Sequence, residues 1–308
     1  MEWQLAADVT KSAAFSRKYA TLIKRLAKKA GDITVATDYD IEGETIGSTI
    51  VKYLCARKDA FRMKFSTVTD EDLQEAYENK QKTLDWGQAN AGETRHFLDW
   101  LYGINISRAL TNAVKTTGGF MLLSTGRVQG PALKIIVDKE KEIQAFIPED
   151  YWQIELQAKK GKDAYSAWHK DDKIFDEKKA SDIHKKCAEK DAKVAKIETK
   201  EYKQAAPNPF NLGALQTEAY RCFGIRPKET LDHAQSLYSA GYISYPRTSS
   251  QQLNAKLGYA KILKGLAKQA SYKEHADYFA KQKALKPNNG KKTDPAHPAI
   301  YPTGYVPK

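Results

Sequence analysis

An apolar run that ends in a dense acidic loop constrains this chain more than any other feature. Residues 32–38, D-I-T-V-A-T-D, read as a buried strand, and T-D-Y-D-I-E-G-E then places Asp38, Asp40, Glu42 and Glu44 in one seven-residue window. A helix is expected from about Gly43 to Ala56. The strand-like R-M-K-F-S-T-V follows, and Thr69 is placed to cap the helix T-D-E-D-L-Q-E-A-Y-E-N, with Asp72 three residues on. Upstream, residues 16–30 set Tyr19, Leu22, Ile23 and Leu26 on one helical face, with Gly31 as the stop. A β–loop–α–β–α order predicts an α/β domain with a parallel sheet. Such folds put their sites just past the carboxyl ends of strands, where these four carboxylates fall.

Carboxylates this close repel one another unless a cation neutralises them. Alternation sends Asp38 and Asp40 to one side of an extended segment. Hard oxygen ligands used one or two at a time suit Mg²⁺, which keeps several waters and shares phosphate oxygens with a substrate. A solvated acidic turn that caps the next helix explains the same residues, because the helix dipole favours Asp and Glu there. Both readings stand at this point.

Charge bears on the choice. Lys and Arg total 50 against 38 Asp and Glu, a formal charge of +12. That surplus suits either a polyanionic partner or simply a basic soluble protein. The 308 residues suggest roughly two domains by length alone. Cys55, Cys187 and Cys222 form no C-x-x-C pair, so neither a zinc ribbon nor a disulfide framework is indicated; small buried hydrophobes are expected. No apolar run approaches the ~20 residues that span a bilayer, and residues 1–15 hold Glu2 and Asp8 rather than a signal-peptide core.

Residues 87–145 read as mostly helical, broken near Gly118-Gly119 and at G-R-V-Q-G-P. From Tyr151 the pattern turns to strands, Y-W-Q-I-E-L-Q-A-K-K, A-Y-S-A-W-H-K and K-V-A-K-I-E-T-K-E-Y, with a Lys-rich helix at about 181–190. After the linker-like Q-A-A-P-N-P-F come helices at about 211–223 and 227–240, the short G-Y-I-S-Y-P-R-T-S-S, further helix to about 282, and an irregular tail rich in Pro, Gly and Lys.

In G-Y-I-S-Y-P-R-T-S-S, Pro246 holds Tyr245 extended. A phenol with an ordinary pKa of ~10 is a weak nucleophile at neutral pH. A guanidinium two residues on, Arg247, is placed to bind a phosphate and favour the developing charge. Taken alone, the segment equally describes a turn in which Tyr242 and Tyr245 pack half-buried.

Two resemblances decide among these readings. The helix, the I-T-V-A-T-D strand and the D-Y-D-I-E-G-E loop resemble the Toprim domain, shared by topoisomerases, bacterial primases and certain nucleases. P-N-P-F-N-L-G-A-L-Q-T-E-A-Y-R-C-F-G-I-R-P-K-E-T-L-D-H-A-Q-S-L-Y-S-A-G-Y-I-S-Y-P-R-T-S-S-Q-Q-L resembles the active-site region of type IA DNA topoisomerases nearly end to end. I-S-Y-P-R-T-S-S-Q, with Pro after the tyrosine, looks closest to the archaeal and topoisomerase III-like branches. Three more segments match in family order: A-G-E-T-R-H-F-L-D-W-L-Y-G-I-N-I-S-R-A-L with Arg95 and Asp99, L-L-S-T-G-R-V-Q-G-P with Arg127 and Gln129, and D-P-A-H-P-A-I-Y-P-T-G with His297. Arg95 and Asp99, at i and i+4, are fully accounted for as a helix-surface ion pair as well.

The resemblance implies a multidomain α/β plus α+β fold: an incomplete Toprim domain over residues 1–80, a helical DNA-binding segment over 81–147, a β-rich hinge segment over 148–208 and a helical domain with the tyrosine over 209–308. It implies Tyr245 as the nucleophile that takes a 5′ phosphate, Arg247 as its phosphate-binding partner, and Mg²⁺ at Asp38 and Asp40 with Glu42 assisting as ligand and catalytic group. Arg127, Gln129, His297, Arg95, Asp99 and, on the strand after the acidic loop, Arg62 are the implied DNA contacts. Tyr242 and Tyr301 suit stacking on single-stranded DNA. Ile41 stands where bacterial relatives commonly have Arg. The family's first Toprim strand, with its glutamate and lysine, has no match in residues 1–31, and the C-terminal return of the family is also unmatched, so an internal piece of a longer protein is expected. The missing glutamate is expected to serve as acid/base or metal partner. The piece is therefore expected to bind single-stranded or negatively supercoiled DNA, as a monomer in the cytoplasm at the nucleoid with no membrane contact, without necessarily completing a catalytic cycle. A Toprim primase or nuclease, and a single-strand-binding module without turnover, are the competing readings.

Overall fold

The computed structural model describes residues 4–255 and 257–307. They form two compact units, one of Met1–Leu101 with Gln204–Lys308, the other of Tyr102–Lys203. In chain order the first unit begins with α1 (Ala6–Val9), α2 (Ser16–Ala27), β1 (Thr34–Val35), α3 (Ile41–Thr49), β2 (Phe61–Arg62) and α4 (Asp70–Glu78). Helix α5 (Trp86–Thr116) runs on into the second unit, which adds α6 (Gln129–Ala145), the strands β3 (Glu155–Lys160) and β4 (Asp163–Trp168), and α7 (Glu177–Cys187). The chain then rejoins the first unit with α8 (Leu212–Phe223), α9 (Pro227–Ser239), α10 (Tyr259–Leu266) and α11 (Ala270–Ala280).

The expected β–loop–α–β–α order is present, with a parallel pair at its centre. Thr34 registers with Phe61 and Val35 with Arg62, and the ladder extends through Phe61 N–H to the Ile33 carbonyl and Met63 N–H to the Val35 carbonyl, each at 2.9 Å. Each strand is two residues long, much shorter than the apolar runs that carry them. Val35, Val51, Ala60 and Leu84 form one apolar cluster with Ile33 packed against it, and Met63, Phe65 and Ala76 form another with Val68 and Leu73. α3 passes into a π-helical turn at Ile50–Leu54. Thr69 caps α4 as expected, its hydroxyl accepting from Asp72 N–H.

Helix α2 keeps its one-sided apolar face but leaves it uncovered. It forms where expected, but Tyr19, Leu22 and Leu26 are exposed, and Ala20 and Ala27 are the residues it buries. In the second unit β3 and β4 pair antiparallel from Glu155–Trp168 to Lys160–Asp163, and Gly161 takes φ +62° at the tight turn between them. The third strand-like stretch, K-V-A-K-I-E-T-K-E-Y, forms no strand: its apolar Val194 and Ile197 stay exposed, with no described partner edge to bury them. The cysteines also differ from expectation, since Cys187 and Cys222 are exposed and Cys55 is half-buried. Among the described residues no helix is long and apolar enough to cross a membrane.

Candidate active site

The acidic loop is built on a buried ion pair. Arg62 and Glu44 are both fully buried, and Arg62 Nε donates to Glu44 Oε2 at 2.6 Å. The rest of the guanidinium donates to the main-chain carbonyls of Thr37 (2.8 Å), Met63 (2.7 Å) and Asp38 (2.8 Å). Glu44 Oε1 accepts from Asp85 N–H at 2.7 Å. A charge pair out of water stays favourable only when its remaining donors and acceptors are filled, which is the case here. Arg62 therefore presents no surface to DNA, against the contact role expected for it; its chemistry is spent on holding the loop. Gly43 completes the grip, since a Cβ there would lie 2.0 Å from the Asp38 carbonyl oxygen.

Asp40 is the N-cap of α3. Its backbone is extended (φ −138°, ψ 177°), and Oδ1 accepts from Gly43 N–H at 2.7 Å. Its other oxygen accepts a short hydrogen bond from the Tyr245 hydroxyl. Asp38 Oδ1 accepts from the Tyr238 hydroxyl at 2.9 Å. The two phenol rings meet edge to face, with centroids 5.3 Å apart at 75°. Tyr245 thus sits directly on the acidic loop, 1% exposed. The cap reading of the loop is realised in Asp40, and the same carboxylate accepts from the tyrosine hydroxyl.

Helix α9 delivers the tyrosines. Pro227 opens it at the first turn, and it closes on Gly241 at φ +77°, with Gly241 N–H donating to the Tyr238 carbonyl (2.8 Å) and Tyr242 N–H to the Leu237 carbonyl (2.9 Å). After this turn residues 243–248 run on outside any helix, with Ile243 bridged to Pro302. Tyr245 N–H donates to the Ser66 carbonyl at 2.8 Å, and Ser244 N–H to the Tyr301 carbonyl at 2.9 Å. His297 closes the far side, its ring 4.5 Å from that of Tyr245. Its Nε2 lies 3.0 Å from the Tyr39 carbonyl, which only accepts, so Nε2 carries the proton and Nδ1 accepts from the Ser66 hydroxyl at 3.1 Å. Burial lowers the His297 pKa against the pull of that carbonyl and of Asp294 and Asp40, so the ring is held neutral.

Burial also raises the pKa of Tyr245, and the bond to Asp40 and the charges of Asp40 and Asp38 push the same way. Arg247, exposed beside it, acts in the opposite sense. The phenol is protonated and covered in this arrangement. Tyr301 is 9% exposed, its pKa likewise raised by burial, so it offers no face for a stacked base as expected; Tyr242 is half-buried.

Glu42 turns elsewhere. Arg95 Nη1 reaches Glu42 Oε1 at 2.9 Å, and His96 Nε2 lies 3.5 Å from its other oxygen. Arg95 and Asp99 make the expected i,i+4 pair only loosely, at 3.9 Å. Glu42 is therefore not gathered with Asp38 and Asp40 as a third ligand, and among the described residues no three His, Cys, Asp or Glu side chains are grouped to hold a metal ion. What remains together on the loop is a carboxylate pair, Asp38 and Asp40. Two hard oxygen donors fit a hydrated cation that shares its shell with phosphate, and do not fit a closed zinc-type cage. Arg127 and Gln129 are exposed in the second unit, Arg127 before α6 and Gln129 as its first residue. Tyr238, Ser66 and Tyr39 were missed in the sequence. Tyr238 lies seven residues before Tyr245, but the helix ends at Ser239 and Gly241 turns the chain between them, so helical period does not relate the two side chains.

Residues 7–68 match the family model of the Toprim domain, and residues 83–308 match that described as DNA topoisomerase. The chain belongs to the DNA topoisomerase family. Similar proteins include the "DNA topoisomerase 1" of Pyrococcus horikoshii, 46% identical over 100% of this chain and 45% of that protein. The "DNA topoisomerase 1" of Methanothermobacter thermautotrophicus is 45% identical over 100% of this chain and 42% of its own length. The full-length topoisomerase I of Thermotoga maritima has a similar structure, with a TM-score of 0.64 at 28% identity, over 93% of this chain and 45% of that one. This topoisomerase chain thus spans about 45% of the length of such relatives. The archaeal relatives agree with the branch suggested by I-S-Y-P-R-T-S-S-Q, and the multidomain type IA fold read from the motifs is the one the Thermotoga structure matches. Toprim domains in general bind Mg²⁺.

Proposed function

We propose that this chain carries the strand-cleaving site of a type IA DNA topoisomerase, with Tyr245 as nucleophile. The observation that carries the reading is the Tyr245 hydroxyl held on Asp40, beside Asp38, by residues 205 positions apart in the chain. Attack by the Tyr245 oxygen on a backbone phosphorus forms a phosphotyrosine bond to the 5′ phosphate and breaks the bond to the 3′ oxygen. That oxygen takes up a proton, in exchange for the one the phenol gives up, and leaves as a free 3′ hydroxyl end. Reversal restores the strand. The bond is exchanged rather than hydrolysed, so no ATP is needed, and no G-x-x-x-x-G-K-[ST] segment occurs. Strand passage through the break relaxes negatively supercoiled DNA.

Each side chain has a physical part. Arg247, exposed next to the phenol, binds the attacked phosphate and favours the phenolate. Asp38 and Asp40 hold Mg²⁺, which when bound supplies positive charge to the phosphate oxygens. Tyr245 must leave Asp40 before it attacks, because it is covered and protonated where it stands. His297, neutral and fixed by Ser66 and the Tyr39 carbonyl, shapes the wall against which the phenol rests. Arg95, Asp99, Arg127 and Gln129 contact DNA, in a monomer that acts on single-stranded stretches of the nucleoid in the cytoplasm.

Incubation with labelled single-stranded DNA and Mg²⁺, followed by denaturation, tests this. A covalent 5′-phosphotyrosyl adduct that vanishes in Tyr245→Phe is expected. An adduct that persists in that variant overturns the assignment. Primer synthesis would instead favour the Toprim primase reading, and DNA binding with no adduct would favour a binding module.

A further inference from the structure

We infer that Tyr238 is a positioning residue for the cation, its hydroxyl fixing the Asp38 carboxylate so that cation affinity depends on α9 being docked. This rests on the proposed reading of Asp38 and Asp40 as cation ligands. The two carboxylates are oriented by different devices. Asp40 is held by its own chain, through the cap bond from Gly43 N–H at 2.7 Å, and keeps that orientation when Tyr245 departs. The main chain of Asp38 is gripped by Arg62 at 2.8 Å, but its side chain has no such local turn. Among the described residues, its hydrogen-bond partner is the Tyr238 hydroxyl, 200 positions away in the chain and 2.9 Å distant.

Tyr238 is well placed for that duty. It is 3% exposed, in the last turn of α9, and its ring is wedged edge to face against Tyr245. One phenol proton on Oδ1 leaves the second oxygen of Asp38 and further lone pairs for a cation or its waters. Side chains that orient a ligand in this way change metal affinity about 10–100-fold when removed. Since Tyr238 and Tyr245 lie on one continuous stretch, the end of α9 and the segment just after its closing turn, the pair links ordering of the cation ligands to the docking of the nucleophile.

The test is Tyr238→Phe, which keeps the ring contact and removes only the hydroxyl. Free Mn²⁺, counted by electron paramagnetic resonance during titration of the protein, reports the dissociation constant. A constant raised by ~10-fold is expected, together with adduct formation restored by a correspondingly higher Mg²⁺ concentration. An unchanged constant overturns the inference. So does a weaker constant that comes with a lower melting temperature and an adduct yield that added Mg²⁺ fails to restore, because that pattern is purely structural. Failure of the nucleophile assignment would show separately, as an adduct surviving Tyr245→Phe.

Discussion

The two units handle polar groups and apolar surface in opposite ways. In the first, charged and titratable side chains are among the most buried residues: Arg62 and Glu44 at 0%, Tyr245 at 1%, His297 at 4%. Every one of them is hydrogen-bonded, and among the described residues no buried side-chain nitrogen or oxygen lacks a partner. In the second, α6 buries none of its residues, and Ile135, Ile136, Phe146 and Ile147 are 60–80% exposed. In the first unit buried polar groups are mutually satisfied in low dielectric, where a lost partner is expensive. The second holds its helices and hairpin mainly by local bonds, so single side chains matter less there.

That contrast can be broken at four places. Removing one partner of the buried pair should do most damage: Arg62→Ala leaves Glu44 buried and uncompensated, and should lower unfolding free energy by about 3–5 kcal/mol in urea denaturation. A loss below about 1 kcal/mol would mean that the pair is not the keystone of the loop. Next, Gly43→Ala forces a methyl group against the Asp38 carbonyl, 2.0 Å from its Cβ. It should cost about 1–3 kcal/mol by overpacking, with weaker Mg²⁺ binding in calorimetry because the carboxylates shift with the loop.

A smaller effect follows from His297. Burial holds its folded-state pKa below the ordinary value, so the unfolded chain binds the extra proton more readily. The stability tied to this residue is therefore complete above about pH 6.5 and declines as pH falls below it toward the folded pKa. The urea midpoint should drop on acidification from about pH 7 to 5, and His297→Asn should flatten that slope. An identical slope in the variant would remove His297 from the account. Least of all, Ile136→Ser on the exposed face of α6 should stay within about 0.5 kcal/mol by thermal melting. A loss comparable to that of Arg62→Ala would show that the second unit is as tightly coupled internally as the first.

Local order was plain in the sequence wherever a periodic run met a chemical stop. Thr69 before an acidic first turn marks a helix that forms where expected, and the helices expected at about 211–223 and 227–240 form at Leu212–Phe223 and Pro227–Ser239. Each signal works within a few residues, through capping or a fixed φ. The exposed apolar face of α2 marks the limit of such signals: periodicity reports which residues share a face, not whether anything covers it. K-V-A-K-I-E-T-K-E-Y failed because strand propensity is satisfied only by a partner edge.

By itself, then, the sequence determined the acidic loop, the tyrosine followed by Pro246 and Arg247, and the family to which their order belongs, because those are properties of neighbouring residues. Tertiary structure alone decided their relations. It set Tyr245 on Asp40, gave Asp38 to Tyr238, turned Glu42 to Arg95, and withdrew Arg62 from any surface to become the buried anchor of the loop. Hydrogen bonds between residues some 200 positions apart have no period and no local signature; they exist only once burial removes water and makes each polar group take the partner at hand.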